Sequence, residues 1–414
     1  MSKNNKNTMV PNLRFPEFRN SGEWQETTLT QVADYENGKA HEQDIADDGK
    51  FIVVNSKFIS QDGEVKKFTN TAFLPATKGD VLMVLSDIPN GKAIAKCFLV
   101  EEDDRYTVNQ RICRIKPNNL NSKILYYLLN RNPYLLAFDD GVKQTNLRKE
   151  DVLNCPLMIP EAPNEQQKIA SCLSFLDEVI TAESKKLEVL NAHKKGLLQN
   201  LFPQEGETEP KFRFSNFKSP MQKVGYSELG EIKIGLTHKP DYTSSGVPFL
   251  SSKNISQGFI DFKNIQYISR VKFDSMPEST KPKLGDILFT RVGSNLGNPI
   301  VLEQDIEFGI FVSLGIFRVN ERAFNYYIKY WMESDLFWKQ LNQKVAGGAK
   351  DNLNSTWLRE FELYIPSIEE QKTIASTLSS IDELIIAQGQ KLEALQLHKK
   401  GLLQGLFPTI NNIN

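Results

Sequence analysis

Cysteine, histidine, long apolar runs and any excess of one charge are all scarce in this chain of 414 residues. Its four cysteines, Cys97, Cys113, Cys155 and Cys172, fall in the first half with no C-x-x-C spacing. That argues against a zinc ribbon or a disulfide scaffold and suits a reducing, cytoplasmic setting. Four scattered histidines give no H-E-x-x-H and no other ligand spacing, so no metal site is expected. No segment approaches the ~18 consecutive apolar residues of a membrane span. The opening MSKNNKNTMV also lacks the apolar stretch of a secretion signal. With 50 Lys and Arg against 51 Asp and Glu, the net charge of −1 denies any simple step from basic charge to nucleic acid.

Catalytic motifs are missing as well. A P-loop needs G-x-x-x-x-G-K-[ST], and Gly38-Lys39, Gly49-Lys50 and Gly91-Lys92 lack both the upstream glycine and the following hydroxyl. Asn132-Pro133-Tyr134 is one proline short of an amino-methyltransferase tetrad and has no glycine-rich companion, so it reads as a turn. The expectation is a chain that is not an enzyme and carries no cofactor of its own.

What the sequence does contain is a repeat. EQQKIASCLSFLDEVITAESKKLEVLNAHKKGLLQNLFP from Glu165 aligns without a gap on EQKTIASTLSSIDELIIAQGQKLEALQLHKKGLLQGLFP from Glu370, with 25 of 39 positions identical. The likeness reaches outward more weakly. Leu157-Met158-Ile159-Pro160 matches Leu363-Tyr364-Ile365-Pro366, Asn146-Leu147 matches Asn352-Leu353, and PNLRFPEF at Pro11 matches PKFRFSNF at Pro210. His193 pairs with His398 and, more loosely, His41 with His238. The chain is two copies of one unit, each a divergent region followed by a nearly fixed segment.

The fixed segments are helices by periodicity. Steps of seven give Leu173, Ile180, Leu187, Lys194 and Leu201, with Leu176, Glu183, Leu190 and Leu197 beside them. The second copy repeats both rows as Leu378, Ile385, Leu392, Lys399, Leu406 and Ile381, Gln388, Leu395, Leu402. This is a coiled-coil seam with polar interruptions at matching places. Pro160, Pro163 and Pro366 mark the starts, and Leu-Phe-Pro at 201–203 and 406–408 the stops. Helices of this length cannot bury a seam on a small domain, so the two are expected to pack on each other as an antiparallel coiled coil. The adjacent carboxylates Asp177-Glu178 and Asp382-Glu383 read as solvated, and His193 and His398 as complements of the helix C-terminal dipole.

The divergent regions read as mixed α and β. Phe51–Val54, Val81–Leu85 and Ile287–Thr290 are strand-like, Ser122–Phe138 and Arg322–Val345 helical, and 204–210 an acidic linker. The fold class is therefore α+β with a pseudo-two-fold internal repeat. Its expected segments are 1–160, a first spacer helix in 161–203, a second unit in 204–366, and a second spacer helix with tail in 367–414. If each of two such similar but non-identical units reads one short DNA sequence in the major groove, the chain reads a split, asymmetric site.

In all of this the chain resembles the DNA-specificity subunit of a type I restriction–modification system. Pro-x-x-Arg-Phe-Pro-x-Phe, a variable unit, Ile-Pro, a Glu-Gln helix and His-Lys-Lys-Gly-Leu-Leu-Gln occur in that order, and then again. The resemblance implies two target-recognition domains, each binding half of a bipartite site in double-stranded DNA. It implies spacer helices that dock two methylation subunits holding S-adenosylmethionine, and restriction and translocation subunits joining to make the nuclease. This chain would be the non-catalytic reader, cytoplasmic and away from membranes.

One tension remains in the residues themselves. Residues 11–160 hold 19 Lys and Arg against 21 Asp and Glu, and residues 204–366 hold 20 against 19. Phosphate contact then requires segregation by face, with runs such as Glu101-Glu102-Asp103-Asp104 turned away from DNA. Base contacts are expected in polar loops between strands, where arginine suits guanine and asparagine or glutamine suits adenine. The candidates in the first unit are Asn55, Ser56 and Lys57, Lys92, Asn109, Gln110 and Arg111, and Gln144 with Asn146. In the second they are Ser252, Lys253 and Asn254, Arg291 with Ser294 and Asn295, and Lys350 with Asn352. Gly91 and Gly297 share an offset of 206, which predicts one shared loop near Lys92 and Arg291. The helix–helix positions are Leu173, Ile180, Leu187, Leu190 and Leu197 against Leu378, Ile385, Leu392, Leu395 and Leu402. Two rival classes are a fused restriction enzyme, which lacks its motifs, and a pure scaffold, which would bind no DNA.

Overall fold

A computed structural model of the chain describes residues 10–408 apart from 90, 257, 294–295 and 346–352. It divides into two compact units, one made of Met1–Ser184 with Lys391–Asn414 and the other of Lys185–Gln390. The division falls inside the long helices, Pro163–Leu201 and Ile368–Leu406. Each unit therefore includes the start of its own helix and the end of the other copy's.

The alternating apolar runs of the first unit form two small sheets. Ala33–Asn37, Ile112–Pro117, Val81–Val84 and Cys97–Leu99 lie in that order in an antiparallel sheet. Phe51–Val54 and Tyr106–Val108 pair in parallel at the heart of a second. The other unit repeats the plan. Gly230–Ile234, Leu314–Val319, Ile287–Thr290 and Gly297–Val301 form its antiparallel sheet, and Val247–Leu250 pairs in parallel with Gly309–Ile310. Val81–Val84 and Ile287–Thr290 are buried at every position, as continuous apolar runs demand. The chain passes between sheets beside two glycines. A Cβ on Gly38 would lie 1.9 Å from the Asn109 carbonyl oxygen, and one on Gly235 would lie 2.4 Å from those of Ile310 and Phe311.

The helical stretches are each broken once. Ser122–Leu129 stops before Pro133, and Asn132 caps the next turn by accepting the Tyr134 N–H at 2.9 Å. Asn325–Glu333 and Asp335–Val345 meet at Ser334, whose extended backbone ends the first helix.

The two repeated motifs clamp each long helix at its first turn. In the first unit Arg14 donates from Nε and Nη2 to the two carboxylate oxygens of Glu165, at 2.7 and 2.8 Å. In the second, Arg213 does the same to Glu370, both at 2.8 Å. Both glutamates are buried, and they lie where the helix dipole favours negative charge. The neighbouring Gln166 and Gln371 donate to the carbonyls of Pro160 and Pro366 and accept from the backbone N–H groups of Asn121 and Phe324.

The far end of each helix completes the other copy's core. Leu406 is buried among Trp24, Leu125, Leu157 and Leu173, while Leu201 and Phe202 are buried among Tyr226, Phe289, Trp331 and Leu378. The N-terminal arms latch these ends, with Leu13 N–H donating to Gly405 O at 2.7 Å and Phe212 N–H to Asn200 O at 2.9 Å. The pairing is antiparallel. In the first unit Asp177 meets Lys399 and Glu183 meets Lys391; in the second Lys194 meets Asp382 at 2.7 Å. Leu173 and Leu378 are fully buried and the other helix–helix positions are half-buried.

The polar interruptions of the seam are occupied sites rather than gaps. Lys194 also reaches Glu333 at 2.7 Å, and Asp382 receives Lys329 and the Tyr330 hydroxyl, each at 2.8 Å. In the first unit the Tyr127 hydroxyl donates to Asp177 at 2.6 Å. The solvated reading of the adjacent carboxylates therefore holds for Glu178 and Glu383 and fails for Asp177 and Asp382, which pair because a lysine of the opposing helix faces them. Burial would raise Asp382, but Lys329 and Lys194 outweigh it and hold the carboxyl below the usual range. The segment 204–210 is tied down, with Gln204 Nε2 donating to Gln199 O at 2.7 Å and Glu209 paired to Arg213.

Candidate nucleic-acid interface

Backbone hydrogen bonds lay three of the first unit's candidate stretches side by side. Asn109 N–H donates to Val54 O at 3.1 Å, which sets Asn109-Gln110-Arg111 beside Asn55. Leu85 N–H donates to Arg111 O at 3.0 Å, and Leu147 N–H to Leu85 O at 2.8 Å. Beyond Leu85, Ser86 and Asp87 pair with Asn146 and Thr145. The turn holding Lys92 follows, closed by Asp87 accepting from Ala93 N–H at 2.6 Å and Ile94 N–H at 3.1 Å.

The second unit carries the same lattice with different side chains. Phe311 N–H donates to Leu250 O at 2.8 Å, Arg291 N–H to Ser313 O at 2.8 Å, and Leu353 N–H to Arg291 O at 2.7 Å. By these equivalences Arg111 corresponds to Ser313, Asn109 to Phe311 and Leu85 to Arg291. Position by position, the scaffold repeats and the displayed chemistry does not.

The candidates differ in what they have free to offer. The Arg111 guanidinium is exposed and has no hydrogen-bond or ion-pair partner among the described residues; Lys57, Lys92 and Lys253 are also exposed. Gln110 donates to Glu42 at 2.9 Å, and Gln144 to Ser86 Oγ at 2.8 Å and Asn146 Oδ1 at 3.3 Å. Asn109 Oδ1 is a buried acceptor with no partner among the described residues. Asn55 accepts from Phe58 N–H at 2.9 Å and caps a short helix, with Ser56 half-buried behind it. Ser252 is half-buried, and its N–H donates to Ser313 Oγ at 3.0 Å.

Two of the expected base readers face inward and need correcting. Asn254 is buried, accepts from Ser251 N–H at 3.0 Å and donates to Asn264 O at 3.3 Å, so its amide closes a turn. Arg291 is 7% exposed and donates to Leu353 O at 3.1 Å and Val312 O at 2.9 Å. Burial pulls its guanidinium below the ordinary arginine value, and its fork ties the segment at Leu353 to the turn at Val312. It stands at Leu85's place rather than Lys92's, and Gly297 lies in a strand opposite Thr290 while Gly91 lies in the turn after Ile88, so the two glycines do not mark one shared loop. Ser294, Asn295, Lys350 and Asn352 lie outside the described residues. The sequence reading missed Ser86, Asp87 and Ser313; the offset of 206 carried to Leu85 and Arg291 would have marked the first two.

Neither unit presents a metal-binding group of His, Cys, Asp or Glu among the described residues. No helix there is long and apolar enough to cross a membrane.

The family model for the type I restriction modification DNA specificity domain matches residues 21–192 and again residues 218–397. The chain belongs to that family. It is a specificity subunit, the non-catalytic DNA-recognition component of a type I restriction–modification complex. It is 23% identical to the type I restriction enzyme MjaVIII specificity subunit of Methanocaldococcus jannaschii, over 97% of this chain and 96% of the relative. The fold matches that of a solved type I restriction–modification S subunit from M. genitalium, with a TM-score of 0.64 at 18% identity over 97% of this chain and 100% of the other. A chain from a structural study of complex assembly and conformational transition in the type I system matches at 0.54 and 18%, over 93% and 97%. Each of the two matched regions contains one set of the candidate loops and most of one long helix, so the specificity subunit holds the domain twice.

Proposed function

We propose that this specificity subunit reads an asymmetric bipartite site in double-stranded DNA, one half with each unit, and recruits two methylation subunits and the restriction subunits. The observation that supports it is the pair of loop lattices, alike in backbone bonding and unlike in side chains. A reader of two different half-sites needs that combination, since phosphates and backbone geometry recur along a duplex while base edges do not. Arg111 is the first unit's candidate for guanine and the Gln144–Asn146 pair its candidate for adenine. Ser313 stands at Arg111's place and makes the second half-site different.

Repeated positions on the long helices support recruitment of one kind of partner twice. His193, Lys195 and Gly196 recur as His398, Lys400 and Gly401, and all four charged or imidazole side chains are exposed. A Cβ at either glycine would meet nothing within 4 Å.

The test is a methylome. The chain is expressed with the methylation subunit of its own system in a host lacking such systems, and modified adenines are mapped across the genome. The expected result is one split, asymmetric motif that vanishes when this chain is omitted. A stable complex that adds no methylation would favour the scaffold reading instead.

A further inference from the structure

We propose that Ile88 and Val142 of the first unit form an apolar contact for thymine methyl groups in the major groove, and so determine specificity in the half-site that unit reads. This rests on the reading of the unit as a DNA reader.

Both side chains are aliphatic and turned to solvent, at 69% and 74% exposure. Single exposed aliphatic residues are ordinary. These two share a place. Asp87 pairs with Thr145, so Ile88 and Val142 leave the same end of one strand pair. Both are β-branched and stiff at χ1.

Three carboxylates hold the backbone beneath them. Asp87 Oδ1 accepts the Ile88 N–H at 2.9 Å. Asp140 Oδ1 accepts from Val142 N–H at 2.9 Å and Lys143 N–H at 3.1 Å. Asp139 Oδ1 accepts from the Thr145 hydroxyl at 2.8 Å. The N–H donors of Val142 and Lys143 keep Asp140 below the usual carboxyl range. At least one oxygen of each carboxylate is bonded back into its own loop, and the two aliphatic tips share the outer surface with exposed Lys92 and Lys143 and the amides of Gln144 and Asn146. An A·T pair offers that set its matching groups. Adenine presents N6 and N7 to an amide, thymine presents its C5 methyl to an aliphatic side chain, and flanking phosphates suit lysine.

The second copy is built differently here: Ile287 pairs with Val301 where Val81 pairs with Leu99, so the chain between the paired strands is four residues shorter and nothing in it matches Ile88 at a fixed offset. The methyl-dependent contact therefore belongs to one half-site.

The experiment uses the chain assembled with its methylation subunits on duplexes of the mapped motif. Each thymine is replaced in turn by deoxyuracil, which removes only the methyl. Loss of one such contact should weaken binding by the unaltered complex about fourfold at one or more thymines of a single half-site. The variant Ile88→Ser/Val142→Ser, at two exposed positions and with no methyl left to offer, should bind the thymine and deoxyuracil duplexes alike while assembling normally. The inference is overturned by equal binding of both duplexes by the unaltered complex, or by a variant that keeps the discrimination. A complex that prefers no sequence refutes DNA reading itself, and that result is separate from either.

Discussion

Removing Arg14 should open the first unit at one identifiable place. Glu165 is 1% exposed, and Arg14→Met would leave its carboxylate with one remaining side-chain donor, Trp24 Nε1 at 3.3 Å. The variant also loses the bond from Arg14 Nη1 to Gly22 O at 2.6 Å. Breaking a buried pair by removing one partner costs about 3–5 kcal/mol. The positive end of the helix dipole offsets about 0.3–1 kcal/mol of that. The net of about 2–5 kcal/mol should fall first on the arm whose Leu13 N–H latches Gly405, because few other bonds hold it. Hydrogen exchange on the intact chain reads this directly. Peptides covering residues 11–25 and 400–408 should exchange about 30- to 3,000-fold faster, since 1.4 kcal/mol is a factor of ten. Peptides around Arg213 and Glu370 should not change. Arg14→Met/Glu165→Leu should recover most of the protection, because an apolar replacement of both partners is close to neutral. Exchange within about threefold of the unaltered chain in the single variant, or equal acceleration in both units, would refute the clamp.

Acid should loosen the second unit through Asp382. Its folded value lies below the unfolded one, so its stabilisation is present above about pH 4 and is lost as pH falls through the folded value. Asp382→Asn should flatten that part of a stability profile measured from pH 6 downward. Arg111→Ala should relax one position of one half-site at a cost of about 1–3 kcal/mol, read as a changed methylome motif. Arg291→Lys should weaken the complex on DNA while leaving every letter of the motif unchanged, because a lysine cannot span the Leu353 and Val312 carbonyls. Gly196→Gln/Gly401→Gln should raise helix stability by up to about 1 kcal/mol per site and weaken association with the methylation subunit, as thermal melting and titration of that subunit would show.

The repeat and the helices were legible because helical period and sequence identity are local signals. The parallel strand pairing of Phe51–Val54 with Tyr106–Val108 was not, since it joins segments about 50 residues apart and no pattern within either names the other. For the same reason Arg14 and Glu165, both visible in repeated motifs, could not be matched across 151 positions. Among the loop candidates, residue type predicted hydrogen-bonding capacity but not direction. Asn254 and Arg291 have the chemistry of base readers and spend it on backbone carbonyls, while Arg111, of the same type as Arg291, has its guanidinium free. The deciding difference is whether another backbone segment passes close enough to bond. Ile88 and Val142 were passed over because aliphatic residues in a turn carry no polar signal.

Identity between the two long helices has two physical sources, and the contacts separate them. Helix formation alone does not impose it, because Phe175 and Ser380, Val189 and Ala394, and Ala192 and Leu397 occupy matching helical positions and differ. Glu165 and Glu370, Gln166 and Gln371, Asp177 and Asp382, Lys194 and Lys399, and Leu201 and Leu406 are identical and each bonds or packs within its unit. Their sameness follows from the repeated clamp and latch. Glu178, Glu188, His193 and Lys195 are also identical to their counterparts, and they are exposed. Gly196 and Gly401 add a cost, since a glycine inside a helix loses about 0.5–1 kcal/mol against alanine. Nothing inside either unit approaches their α-carbons to offset it. A surface that is repeated, exposed and locally destabilising is what the proposed recruitment requires, a close approach from outside made twice by the same kind of partner.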